Sequence, residues 1–319
     1  MKLRRRYILL YVFVISFICL FIVFQSYDKY SRNATINAEN KKIIEKYLTA
    51  DEKQYLIDNN LNTKLFMPYI REKGFIIQNY EYYNLIAKYH PKLKKDVLVN
   101  KTNQLVEQEF TLSSLENIFK NNLYSLNQLL KLATTPSQYY PEAKPEFYPN
   151  NMFALSNTEY YIDSYQPDDL VKISQNFTVQ RRTIYLNKQA NQQLTLMCDH
   201  LKILNGKECG GLKIEYGYIS YSNTNKYRKQ LPFIRPGHND FQLGRSIAFV
   251  DSKNFYENKL YLWLLNNSYR YGFVQRYPDD KVDSTLVSNQ SGVFRYVGIN
   301  NAGYLVKNNL SIEQQRSNK

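Results

Sequence analysis

Cysteine, histidine, tryptophan, glycine and proline are all scarce in this sequence of 319 residues, and each shortage closes off a class of protein. Three cysteines cannot build a disulfide framework, and a chain this long can bury a core without one. Three histidines leave few imidazoles for a metal centre. Eleven glycines and ten prolines among 44% hydrophobic residues exclude collagen-like and disordered chains. Acid is the other deficit: 28 Asp and Glu face 42 Lys and Arg, a net charge of +14 that favours a polyanion as neighbour. Tyrosine is what abounds, with 30 residues beside 17 phenylalanines. Groups such as Tyr80, Tyr82, Tyr83 and Tyr139, Tyr140 could stack on sugars, but joint enrichment of Tyr, Asn, Lys and Ile is also what a compositional bias produces.

Lys2, Arg4, Arg5 and Arg6 precede an uncharged run from Tyr7 to Phe24. Its 18 residues suffice for about one bilayer crossing, and no small-residue cleavage site follows. The expectation is an uncleaved signal anchor at residues 1–30, with basic residues on the cytoplasmic side and the rest of the chain outside the cell membrane. Nucleic acid is therefore excluded as a partner. Cys198 and Cys209 are the cysteines left outside, where a bridge between them and a pair of free thiols are both open.

Residues 31–150 read as a helical stalk domain ending in a proline-rich linker. Ile43, Ile44, Tyr47 and Leu48 share a helical face, Thr49 with Glu52 forms a capping box, and Ser113 with Glu116 opens a helix carrying Leu115, Ile118, Phe119, Leu126, Leu129 and Leu130. Pro136, Pro141, Pro145 and Pro149 exclude a helix and mark a linker or a laid-down arm. From residue 151 to 319 short strands mix with helices. Leu186, Ala190, Leu194, Met197, Leu201 and Leu204 recur at helical spacing, and Leu212 to Tyr218 alternates as a strand. Leu260, Trp263, Leu264 and Tyr271 mark a helix stopped by Gly272, with strands at Phe273 to Tyr277 and Phe294 to Val297. The fold class is α+β with an antiparallel sheet.

IRPGHNDFQLGRSIAFV from Ile234, WLLNNSYRYGFVQRYPDDK from Trp263 and GVFRYVGINNAGYLV from Gly292 resemble the VanY-type D-alanyl-D-alanine carboxypeptidases, zinc peptidases of the LAS group that trim peptidoglycan stems. LSNTEYYIDSYQPDDLVKI (Leu155 to Ile173) resembles the family's lead-in, and GYISY (Gly217 to Tyr221) stands where it writes SGYRSY. The resemblance implies a LAS-type domain over about residues 151 to 315. The family's site is carried by SEHQxGxAxD, whose His and Asp bind zinc, and by ExWH, which supplies the general base and third ligand. Laid on this sequence, the ligand positions become Phe241, Ala248 and Val293, the base becomes the amide Gln290, and the SGYRSY arginine becomes Ile219. Hydrocarbon side chains hold no metal, and an amide takes no proton from water.

The resemblance thus implies a zinc enzyme whose ligands and base are absent here: a pseudoenzyme of a peptidase family, with no cofactor and no catalytic residue. The alternative is an active peptidase using an unconventional metal site built on His238, Asp240 and Asp251. His238 as an ordinary loop residue is the plainer reading. Neither a G-x-S-x-G nor a P-loop occurs. A cysteine nucleophile beside His200 is the remaining option. Tyr218, Gln242, Arg276, Tyr277, Arg295 and Tyr296 keep the family pattern and are the substrate-binding candidates. Arg276 and Arg295 could fork onto a stem-peptide carboxylate or a wall phosphate, or could satisfy carbonyls and acids of the framework. Expected partners are stem peptides, anionic wall polymers, an envelope protein, and the membrane.

Overall fold

A computed structural model describes residues 38–250, 259–288 and 290–317. The apolar run at residues 7–24 lies outside them, and no described helix is long and apolar enough to cross a membrane. The chain divides into two compact units, 1–117 and 118–319, earlier than the change of texture at residue 150.

In the first unit, helices Ala38–Tyr47 and Ala50–Asp58 meet at the Thr49 and Glu52 capping box that the sequence signals. Ile44 and Leu48 join Phe66, Ile70 and Ile77 in a buried cluster, whereas Tyr47 is exposed. Helices Tyr80–Tyr89 and Lys95–Glu107 follow. The next helix, Leu112–Lys120, starts a residue earlier than expected. Thr111 Oγ1, not Ser113, accepts from Ser114 N, while Glu116 pairs with Lys88 at 2.9 Å.

The expected single helix over 113–130 is two, because the chain breaks at Asn122, in the left-handed region at φ 50°. Helix Leu126–Thr134, in the second unit, has its own capping box, Ser125 with Gln128. The proline-rich stretch is a laid-down arm: β1 (Lys144–Pro145) pairs in parallel with β2 (Tyr160–Tyr161), and the Tyr124 hydroxyl donates to the Glu146 carbonyl. β3 (Leu170–Lys172) pairs antiparallel with β4 (Tyr185–Asn187). Helix Lys188–Asn205 then buries Ala190, Leu194, Met197, Cys198 and Leu201. Leu186 belongs to β4, and Leu204 points outward. Cys198 is disulfide-bonded to Cys209.

The remaining strands, β5 (Ile214–Tyr216), β6 (Ser246–Phe249), β7 (Phe273–Gln275) and β8 (Val293–Tyr296), form an antiparallel sheet in the order β5-β6-β8-β7. Successive side chains alternate between faces. Ile214, Ile247, Phe249, Phe273, Phe294 and Tyr296 go to one face, in the main core with helix Lys188–Asn205. Gly272, at φ 80°, ends the turn after helix Lys259–Asn267; a Cβ there would lie 2.6 Å from Tyr296 Cε2.

Candidate functional site

The opposite face of this sheet carries the positions that the family pattern singles out. Alternation sends Ser246 and Ala248 of β6 there together with Val293 and Arg295 of β8; Ala248 pairs with Val293 and Ser246 with Arg295. The turn Asp240–Leu243 lies against them, with Asn239 Oδ1 accepting from Phe241 N at 3.0 Å and Gly244 closing the turn in the left-handed conformation. Adjacent residues of the turn serve different ends of the face.

Phe241 serves the apolar end. It is buried with Tyr216, Ile219, Ala248, Tyr277 and Val293 in one hydrophobic cluster. Gln290 is half-buried, and its backbone donates to the carbonyl of Tyr277, a member of this cluster, and accepts from Val293 N at 2.9 Å. Phe241, Ala248 and Val293 offer no donor atom, so the residues at the implied ligand positions do not fit a zinc ion.

Asp240 serves the ionic end. Its Oδ1 takes Arg276 Nε at 3.0 Å and Arg295 Nη1 at 2.7 Å, and its Oδ2 accepts from the Ser246 hydroxyl. Burial alone would raise this carboxyl, but Arg295 and Arg276 outweigh it and bring its pKa down to about 2. Arg276 also forks onto Glu313, at 2.6 and 3.1 Å, and lies 4.6 Å from the Tyr277 ring centroid. Arg295 Nη2 donates to the Met152 and Ala154 carbonyls.

These contacts correct the substrate-binding expectation for the arginines: both side chains have 0% exposure and their charge is taken up inside the protein. Gln242 is likewise spent, donating to the Asp163 and Tyr165 carbonyls and accepting from Gly237 N. Tyr277 and Tyr296 are buried, the latter edge-on to Phe273. Tyr218 alone of the six keeps part of its surface, its phenol pushed up to about 12 by burial.

His238 is not a free loop residue, for both of its ring nitrogens have protein partners. Its Nδ1 lies 2.5 Å from the Asn157 carbonyl, a contact that requires an N–H, and its Nε2 accepts from the Ser137 hydroxyl at 2.5 Å. Burial lowers its pKa, so the ring is neutral at physiological pH. Tyr140 packs edge-on to it, with centroids 4.8 Å apart. This clasp holds the proline-rich arm along a cavity of about 230 Å³ lined by Lys131, Ser137, Tyr139, Asp163, Tyr221 and His238. Sequence reasoning missed it because Ser137 and His238 are 101 residues apart. The acids that meet the arginines, Asp240 and Glu313, carry one signal in the sequence: an arginine between Phe294 and Tyr296 demands a buried acid. Asp251 lies outside the described residues, among which no three His, Cys, Asp or Glu side chains converge. The disulfide removes a Cys198 or Cys209 nucleophile, and His200 Nδ1 instead meets the Tyr271 hydroxyl at 2.7 Å.

Comparison with known proteins agrees with the motif reading. The profile of the VanY D-alanyl-D-alanine carboxypeptidase family matches residues 218–299. YodJ of Bacillus subtilis (strain 168), a carboxypeptidase by name, is 30% identical over 189 residues, covering 52% of this chain and 67% of YodJ. A D-alanyl-D-alanine carboxypeptidase of Enterococcus faecalis (strain ATCC 700802 / V583) is 41% identical over 80 residues, 25% of this chain and 30% of that protein. Among solved structures, the LdcB LD-carboxypeptidase is similar at 27% identity and a TM-score of 0.49, covering 57% of this chain and 96% of LdcB. With the family profile lying over the turn, the sheet face and β8, and with YodJ matched over two thirds of its length, this chain belongs to the VanY family of D-alanyl-D-alanine carboxypeptidases.

Proposed function

We propose that this chain is a non-hydrolysing member of its family, held to the cell membrane by residues 7–24 with its remaining bulk outside, where it binds cell-wall peptide, wall polymer or an envelope protein. One observation carries the reading: the side chains at the implied ligand and arginine positions, Phe241, Ala248, Val293 and Ile219, share a single buried apolar cluster. Water activation by zinc needs about three protein ligands and an open coordination position. A packed hydrocarbon pocket supplies none of these, and the amide of Gln290 supplies no base. His238 and Asp240, the residues from which a substitute centre would be built, are already committed to Ser137, Asn157 and the two arginines. The Cys198–Cys209 bridge favours an oxidising exterior.

The test is elemental analysis of the full-length chain together with D-alanine release from a stem pentapeptide. The expected result is no stoichiometric zinc and no release. One zinc per chain, lost in His238→Asn, or release of D-alanine above a heat-denatured control, overturns the reading.

A further inference from the structure

We propose that the segment Asn225–Arg235, together with Tyr139, is a binding site for a phosphodiester-linked polymer. An open groove here is lined by Tyr139, Asn225, Arg228, Lys229, Pro232 and Arg235, three cations with one aromatic ring and no acid. Arg228 and Lys229 are exposed, and among the described residues neither forms an ion pair or a hydrogen bond. Arg235 uses Nη1 alone, donating at 2.7 Å to the Pro232 and Ile234 carbonyls, so its position is set while its other N–H groups have no protein partner. Arg228 and Lys229, with no partner among the described residues, and Arg235, held by two carbonyls, place three cations within eight residues of one groove, a concentration of positive charge that a polyanion answers. Guanidinium forks suit phosphate oxygens, and a tyrosine face suits the polyol or sugar between them.

His238 organises both walls of this groove. Its backbone exchanges hydrogen bonds with Arg235, N to O at 2.9 and 3.1 Å, and its ring clasps Ser137, two residues from Tyr139. Tyr139 in turn lies edge-on to the imidazole, with centroids 6.4 Å apart. Arm and loop are thus fastened to one buried residue, so that little ordering is left for a ligand to impose. The inference rests on the placement of this unit outside the membrane, but not on the absence of hydrolysis.

Phosphodiesters also occur in lipid headgroups, so the experiment has two arms: binding of the full-length chain to soluble poly(glycerol phosphate) and to phosphatidylglycerol vesicles. Arg228→Ala combined with Lys229→Ala is expected to weaken polymer binding about tenfold, and Tyr139→Ala to weaken it severalfold. Lys94→Ala combined with Lys95→Ala changes net charge equally at exposed positions of the first unit and should leave the affinity within about twofold. An equal loss in this control pair means net charge alone acts and overturns the site. Binding to vesicles but not to polymer overturns the choice of ligand. A chain that hydrolyses stem peptide yet binds polymer refutes the preceding proposal and leaves this one standing, whereas a chain without zinc or activity that ignores polymer refutes this one alone.

Discussion

Two clusters share one face of the four-stranded sheet, and they are held together by opposite physics. Around Phe241, Ala248 and Val293 the contacts are hydrocarbon, forgiving of exact partner and stabilised by removal of surface from water. Around Asp240 the contacts are directional, the hydroxyl of Ser246 beside ion pairs that link Arg276, Arg295 and Glu313 without exposure of either guanidinium. Neighbours in the chain fall on either side of the divide: Asp240 beside Phe241, and Arg276 beside Tyr277. The apolar end can lose a methyl group and remain dry. The ionic end cannot lose one member without stranding a buried charge.

The largest effect should therefore come from the ionic end. Asp240→Asn leaves two arginines facing each other across a neutral amide, and the second unit should lose about 3–5 kcal/mol of stability, measured by chemical denaturation. A loss below about 1 kcal/mol would mean that the arginines find other partners and that the contrast between the clusters is false. At the apolar end, Phe241→His exchanges a buried ring for a polar one with no partner within its hydrocarbon surroundings. Here the expected cost is about 2 kcal/mol, and an unchanged melting temperature would show that the pocket is not packed.

Acid separates the clusters more finely. The folded carboxyl of Asp240 lies below its unfolded value, so its contribution is complete above about pH 4 and is lost as pH falls towards 2. Stability should drop over that window in the parent chain, and the drop should be shallower in Asp240→Asn while Phe241→His keeps it. Parallel acid limbs in all three proteins would remove Asp240 from the account.

Much of the fold could be read from the sequence where the signal is local. The Thr49 capping box, the helix over 188–205, the Gly272 stop and the strands around 214, 273 and 294 follow from spacing and capping chemistry within a few residues. The misjudged places are those where local signals compete: Thr111 displaced Ser113 as cap, and a left-handed Asn122 divided an apparently continuous helix. Motif comparison likewise reached the second unit's family, because glycines and aromatics of the family pattern recur over residues 237–298, inside the stretch 218–299 that the family profile matches.

What the sequence by itself determined is the chemistry available: three hydrocarbon side chains and an amide at the implied zinc and base positions, and an excess of cations over acids. Only the tertiary structure decided how those groups are spent. Arg276 and Arg295 resembled ligand-binding residues until Asp240 and Glu313, 36 and 37 residues from Arg276, met them in the interior, and His238 resembled a loop residue until Ser137 closed on it. Whether a charge faces a ligand or a buried partner depends on contacts between distant segments, and no spacing along the chain encodes that; it follows from which strands pair and which face each side chain takes.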